Sequence, residues 1–154
     1  MLKSLIFPAF LAAAASLYSA PAPDFTITDS DGNVRKLYAD YVNQGKLVVL
    51  EVFFIDCPPC ATHAPHWQNL YQAKKNLYPG RLEFIMLSDK NADLNNLVAQ
   101  YKISKNLTMP AAGSDGGSLT AVQPYKSGQY GTFLGTPTFI IIQQGTGEVI
   151  IDIR

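Results

Sequence analysis

The sequence lacks an excess of charge of either sign, and it contains no internal repeat and no low-complexity segment. Its 154 residues carry 12 basic and 12 acidic side chains, so the formal net charge is zero. Because nucleic-acid binding depends on a basic stripe, this balance argues against nucleic acid as a partner. Hydrophobic residues make up 47% of the chain, which argues against disorder and is enough for one domain with a real core.

The N-terminal apolar segment is too short for an ordinary membrane span. Residues 5–17 are alanine-rich and interrupted by Pro8, and they follow a positively charged start at Lys3. Small residues follow at Ser19 and Ala20. This pattern predicts a secretory signal peptide over residues 1–20, a folded domain over 21–154, and export to the periplasm or the extracellular space. An uncleaved anchor is the alternative, and only in that case would the membrane be a partner.

Cysteine is scarce, and the only two cysteines, Cys57 and Cys60, are separated by two prolines. The apolar residues 47–55 precede them, and a run of this length rich in Val and Phe predicts a strand buried on both faces. Apolar residues at helical spacing follow from Ala61 to Tyr71. The cysteine pair is therefore expected where a central strand passes into a helix N-terminus.

That position favours redox chemistry. Unpaired N–H groups and the positive end of the helix dipole stabilise a thiolate, so cysteines at such sites have lowered pKa values. Cys57 is predicted to be the exposed nucleophile, and Cys60, one turn further on, the shielded resolving thiol. A purely stabilising disulfide is the alternative, but so short a loop contributes only ~2 kcal/mol. Metal binding is a further alternative.

The rest of the chain alternates between predicted strands and helices. In chain order we predict a hairpin over 25–37, a helical turn over 38–43, a strand over 82–87, a helix over 92–101 capped by Asn91 or Ser88, a short strand over 108–112, a brief helix over 119–125, and a final hairpin formed by 135–142 and 148–153. Strand, helix and strand in succession imply a parallel βαβ unit with a right-handed crossover. The fold class is therefore α/β.

Three motifs in this order resemble those of thioredoxin-fold proteins. They are Cys57-Pro58-Pro59-Cys60 after a buried strand, Pro65 five residues further on, and Thr136-Pro137-Thr138 before the last hairpin. Two further features narrow the resemblance to one exported group of these proteins: the export signal and the opening Pro21-Ala22-Pro23-Asp24-Phe25. The chain looks like the exported TlpA/ResA-like thiol–disulfide oxidoreductases, which are related to the AhpC/TSA peroxiredoxins.

This resemblance implies a central mixed sheet flanked by helices, with a hairpin at each end of the domain. The final helix usual in thioredoxin folds is missing before Arg154, so we expect either that one face of the sheet is incompletely covered or that the chain is a fragment. The implied partners are proteins that carry disulfides and an upstream thiol electron donor. No cofactor and no metal is implied, and a monomer is expected.

The resemblance also assigns roles to three residues outside the cysteine pair. Pro137 would be cis and would lie beside the disulfide, and the backbone of Thr136 would pair with an extended substrate segment. Glu51 matches a buried acid six residues before the first cysteine. Burial should raise the pKa of this carboxyl, which could then exchange a proton with Cys60. The alternative is that Glu51 pairs with a lysine.

Two residues of the motif depart from the family pattern. Asp56 stands where the family usually has tryptophan, and a carboxylate there should disfavour a thiolate at Cys57. Pro59 has no N–H to donate to the sulfur, which leaves mainly the amide of Cys60. Both departures disfavour the thiolate form that makes a strong oxidant, and they predict a reductant.

Other activities have weaker support. Phe54 occupies the position where a peroxiredoxin carries threonine, which argues against peroxidase activity. Ala61 follows Cys60 where a c-type haem site needs histidine, which excludes haem attachment. A copper chaperone that uses Cys57, Cys60 and either His63 or His66 is the main non-enzymatic alternative. A peptide-binding module without redox activity is another.

Overall fold

A computed structural model describes residues 20–153, so the predicted signal peptide lies outside the described residues except for Ala20. The elements in chain order are β1 (Thr26–Thr28), β2 (Val34–Lys36), a π-helical turn (Leu37–Tyr41), a 3-10 turn (Val42–Gln44), β3 (Leu47–Phe53), α1 (Pro58–Leu77), β4 (Leu82–Ser88), α2 (Asn95–Lys105), β5 (Ala111–Ala112), a second 3-10 turn (Ser114–Gly116), α3 (Ser118–Lys126), β6 (Thr138–Ile142) and β7 (Val149–Ile153). None of the described helices has the length and apolar character needed to cross a membrane.

The main sheet has five strands in the order β5-β4-β3-β6-β7, and β1 and β2 form a separate antiparallel hairpin. Strand β4 runs parallel to both β3 and β5, whereas β6 runs antiparallel to β3 and β7 antiparallel to β6. This topology confirms the predicted α/β fold with a mixed sheet, a parallel βαβ unit and a hairpin at each end.

Strand β3 lies at the centre of the sheet and is buried on both faces. Leu50 and Val52 belong to the hydrophobic cluster that includes residues of α3 and the N-terminal hairpin. Val49 and Phe53 point the other way, into the cluster formed with α1 and α2. Because side chains alternate along a strand, Glu51 shares the second face with Val49 and Phe53.

The predicted N-cap of the second helix is wrong. Helix α2 begins at Asn95 rather than residue 92, and no side chain caps it from its own N-cap position. Instead the Asn95 amide donates to the Asp115 carboxyl at 2.7 Å, and the Ser88 hydroxyl donates to Asp93. The helix is thus capped from a turn 20 residues further along the chain.

On the α1 side, an open groove leaves part of the sheet uncovered. An open apolar groove of about 500 Å³ separates the lower half of α1 from β3 and β6. Trp67, Leu70 and Tyr78 line it on the helix, and Phe139 and Ile141 on the sheet. The Trp67 and Phe139 rings, which both line this groove, are tilted against each other with their centroids 4.6 Å apart.

Candidate active site

Cys57 is the N-cap residue of α1, at the end of a tight turn after β3. Its amide donates to the Phe54 carbonyl at 3.2 Å, and its backbone is extended. Pro58 then occupies the first helical position, where a missing N–H costs nothing because the helix has no partner for it. The sequence therefore starts the helix immediately after the first sulfur.

Cys57 and Cys60 form a disulfide. The Cys60 amide donates to the Cys57 sulfur at 3.1 Å. Neither Pro58 nor Pro59 has an N–H, and the Ala61 amide is used by the Cys57 carbonyl at 2.9 Å. The expectation that the Cys60 amide is the main donor to the sulfur agrees with this geometry.

The prediction that Cys57 is exposed is wrong for the disulfide form. Both cysteines are only 1% exposed. Thr136 covers the Cys57 sulfur, with its carbonyl oxygen 3.8 Å and its hydroxyl 3.6 Å from Sγ. The sequence motif located the sulfur at the helix N-terminus, but it gave no indication of how closely a loop 79 residues away packs over it.

The Thr136-Pro137 peptide bond is cis, as the resemblance implies. It ends an irregular segment between α3 and β6 and brings Pro137 to the groove beside the disulfide. That groove is lined by prolines, histidines and one aromatic ring: Pro58, Pro59, Thr62, His63, His66, Pro137 and Phe139.

Glu51 is 1% exposed and carries no ion pair among the described residues, so the alternative of a lysine partner is not realised there. Its neighbours across the sheet are Met86 on β4 and Phe139 on β6. One carboxyl oxygen, Oε2, finds no hydrogen-bond partner. Burial in this apolar setting raises the pKa of Glu51 to about 8, so the group is mostly protonated at pH 7.

Asp93 is a buried residue of the site that the sequence analysis missed. Its Oδ2 accepts from the Ile55 amide at 2.9 Å and from the Ser88 hydroxyl at 2.7 Å, and so fixes the loop before Cys57 to the end of β4. The Asp89 amide donates to the Phe53 carbonyl at 2.9 Å and ties the same two segments. An acid in a polar loop carries no periodic signal, so only the folded chain reveals this role.

The copper-chaperone alternative requires Cys57 and Cys60 as free thiols together with a histidine. The two sulfurs are bonded to each other, and His63 packs against Phe139 with ring centroids 5.1 Å apart. In the part of the chain that the structure describes, no three His, Cys, Asp or Glu side chains are arranged to hold a metal ion.

A disulfide at a helix N-terminus, faced by a cis-proline from a distant loop, can undergo thiol–disulfide exchange, and the chain has the thioredoxin-like fold of solved thiol–disulfide oxidoreductases. A family model described as the AhpC/TSA family matches residues 19–146, and the chain belongs to that family. Because residue 54 is phenylalanine, no hydroxyl occupies the position where a peroxiredoxin carries threonine. Lys90 Nζ lies over the Phe54 ring, 4.0 Å from its centroid.

Solved structures share this fold at low sequence identity. A thiol:disulfide interchange protein from Chlorobium tepidum TLS is 22% identical with a TM-score of 0.66, over 91% of this chain and 90% of that one. StoA from Bacillus subtilis is 20% identical with a TM-score of 0.64, over 87% and 90%. A secreted disulfide oxidoreductase of Mycobacterium tuberculosis is 19% identical with a TM-score of 0.61, over 83% of each chain. A search of curated proteins found no match.

Proposed function

We propose that the protein is an exported reductant of protein disulfides, in which Cys57 attacks, Cys60 resolves, Glu51 exchanges the proton, and Thr136 and Pro137 position the substrate. One observation carries this proposal. The Cys57 sulfur lies at the start of α1, where it accepts a hydrogen bond from the Cys60 amide and faces the cis Thr136-Pro137 peptide bond. Of the two sulfurs, Cys57 is the one that lies against the loop from which a substrate would approach.

The reaction begins with the dithiol form. The Cys57 thiolate attacks one sulfur of the substrate disulfide, which forms a mixed disulfide and releases the other substrate sulfur as a thiolate. Cys60 then gives its proton to ionised Glu51 and attacks the Cys57 sulfur. The Cys57–substrate bond breaks, the Cys57–Cys60 disulfide forms, and the second substrate sulfur leaves as a thiolate; both substrate thiolates then take protons from the solvent to give the dithiol. The substrate has gained two electrons, and the protein has the disulfide form with neutral Glu51.

The direction of electron flow follows from how little the first turn stabilises a thiolate. Two of its amides are replaced by prolines, and Asp56 is exposed next to Cys57. A poorly stabilised thiolate makes the dithiol form the higher in free energy, so it gives up electrons readily. An upstream thiol donor must therefore return the protein to its dithiol form after each cycle.

Export is supported by the signal-like pattern of residues 1–20 and by the secreted Mycobacterium tuberculosis relative in fold. In an oxidising compartment a two-cysteine protein keeps its function only if it is reduced again by a partner. The substrates are proteins with an accessible disulfide in an extended segment, since the groove beside Pro137 offers backbone pairing and apolar contact.

Insulin reduction is the first test. With dithiothreitol as electron donor, the protein is expected to accelerate the precipitation of insulin chains, and Cys57→Ser is expected to abolish this activity. The reduction potential is expected near that of thioredoxin, about −270 mV, rather than near the DsbA value of about −120 mV. Absence of turnover by the wild-type protein, or a DsbA-like potential, would contradict the proposal.

The Asp56→Asn variant tests why the potential is low. Removing the negative charge beside Cys57 should stabilise its thiolate, so the reduction potential should rise and the thiol pKa of Cys57 should fall. Equilibration with glutathione buffers measures the potential, and Glu148→Gln serves as a control because that partly exposed acid lies just before β7. An unchanged potential in Asp56→Asn would show that this charge does not set the direction of transfer.

A further inference from the structure

Two buried tyrosine hydroxyls in the described part of the chain have no hydrogen-bond partner, those of Tyr101 and Tyr125. A buried hydroxyl without a partner is costly, so such groups are uncommon unless they have a function. The two tyrosines lie on opposite faces of the sheet. Tyr125 belongs to the cluster with the N-terminal hairpin, and Tyr101 to the cluster that contains both cysteines.

Tyr101 is on the face of the sheet to which Glu51 points. Its ring stacks on Phe53 with centroids 5.5 Å apart, and Phe53 is two residues after Glu51 on the same side of β3. Glu51 Oε2 is a second buried oxygen on this face without a partner. Burial and the nearby charge of Glu51 raise the pKa of Tyr101 to about 12, so its hydroxyl keeps its proton at neutral pH.

The other ionisable groups on the elements that cover this face are engaged elsewhere. On α1 and β4, Tyr71 donates to Glu83 at 2.9 Å. On α2, the Lys102 ammonium bonds Asp31 at 2.6 Å.

Two further ionisable groups border the same face. Asp93 accepts from the Ile55 amide, and His63 packs against Phe139, the cross-strand neighbour of Glu51. The cluster that contains Tyr101 also holds both cysteines and Trp67, whose buried Nε1 is a second donor without a hydrogen-bond partner.

We infer that Tyr101 is a positioning residue for Glu51: its hydroxyl hydrogen-bonds the ionised carboxylate, directly or through one water, and so prepares it to take the proton of Cys60. This inference rests on the proposed function. In the disulfide form Glu51 is mostly protonated and needs no such donor. In the mixed-disulfide form Glu51 must be ionised, and a phenolic donor stabilises a carboxylate more strongly than a neutral acid.

The balance of the step is simple. The Cys60 S–H bond breaks and the Glu51 O–H bond forms, while Tyr101 keeps its own proton throughout. The Cys60 thiolate then attacks the Cys57 sulfur and expels the substrate thiolate. Tyr101 therefore acts by setting the pKa and the orientation of Glu51, and it touches neither the substrate nor the bond that breaks.

The test compares Tyr101→Phe with the matched variant Tyr125→Phe. Each change removes one buried oxygen without a partner, so each should leave the fold intact. Dithionitrobenzoate releases one coloured thiolate when Cys57 attacks it and a second when Cys60 resolves the mixed disulfide. The rate of the second release, followed between pH 5 and 10, reports the apparent pKa of Glu51.

Tyr101→Phe is expected to move this pH profile about one unit to higher pH and to slow the second release about tenfold at pH 7. Tyr125→Phe is expected to leave both unchanged. In a Glu51→Gln background, Tyr101→Phe should have no further effect, because it acts through that carboxyl.

An unshifted profile in Tyr101→Phe, or an equal slowing in the Glu51→Gln background, would overturn the inference. Failure of the proposed function is a separate result, since it would appear as a wild-type protein that does not reduce insulin. A wild-type protein that is active, with a Tyr101→Phe variant that matches Tyr125→Phe, would refute only the role of Tyr101.

Discussion

At the scale of single residues, the protonation of Glu51 is the property with the widest consequences. The folded disulfide form holds a proton on Glu51 up to a pKa of about 8, whereas the unfolded chain releases it near the ordinary value of 4.5. Between these two values the native state binds one more proton than the unfolded state. The free energy of unfolding therefore falls as the pH rises through this window.

Glu51→Gln should remove this dependence. We expect the wild-type disulfide form to lose up to about 1.4 kcal/mol of stability per pH unit between pH 5 and 8 through this group, and the variant to lose correspondingly less. Urea unfolding at a series of pH values measures the difference. Glu148→Gln, which removes a partly exposed acid, controls for the loss of one negative charge. Parallel curves for wild type and Glu51→Gln would contradict the buried, neutral carboxyl.

Thr136 is the residue that covers the reactive sulfur, and its side chain is expected to limit access. Thr136→Ala removes the hydroxyl 3.6 Å from Cys57 Sγ and the adjoining methyl group but keeps the backbone that we propose pairs with substrate. Reduction of the disulfide by dithiothreitol should become several-fold faster. Thr120→Ala, on exposed α3 surface, should leave the rate unchanged. Equal rates in both variants would show that access is controlled elsewhere.

At the scale of elements, the junction between β3 and α1 decides where Cys57 lies. Asp93, which belongs to neither element, fixes the junction: its carboxylate accepts hydrogen bonds from the Ile55 amide and the Ser88 hydroxyl. The helix begins at Pro58. Proline is favourable at the first positions of a helix, because the N–H groups there have no acceptor within the helix and proline has no N–H. A turn held in this way can keep the sulfur in place while the disulfide opens and closes.

Asp93→Ala should loosen this junction. It leaves the Ile55 amide and the Ser88 hydroxyl without their acceptor, and we expect a loss of about 2–3 kcal/mol in the free energy of unfolding. Asp56→Ala changes an exposed acid of the same loop and should stay within about 0.5 kcal/mol of wild type. Denaturant unfolding compares the two variants. Equal losses would show that Asp93 does not anchor the loop.

The elements also show where reasoning from sequence succeeds. The strand over 47–55 and the cysteine pair after it were predictable, because a continuous apolar run and a Cys-Pro-Pro-Cys motif are local signals. The cap of α2 was not, since Asp115 reaches Asn95 from a turn that follows in the chain. The exposure of Cys57 was also mispredicted, because Thr136, which is 79 residues further along the chain, covers it in the folded protein.

At the scale of the whole molecule, the sheet brings the parts of the site together. Strand β3 carries Glu51 and leads to Cys57, while its antiparallel neighbour β6 begins directly after Pro137. The carboxyl end of one strand and the start of the other therefore meet at one edge. The parallel βαβ unit and the final hairpin were predictable from the alternation of elements, whereas the partnerless Tyr101 hydroxyl depends on packing that only the folded chain shows.

The most direct test of this arrangement is to trap the mixed disulfide. Reduced Cys60→Ser protein, mixed with insulin, should form a covalent adduct that mass spectrometry of peptides maps to Cys57, and reduced Cys57→Ser protein should form far less. This result is expected because Cys57 faces the cis-proline loop and Cys60 lies one turn inside the helix. An adduct through Cys60 in preference to Cys57, or no adduct with either variant, would contradict the assignment of Cys57 as the attacking sulfur.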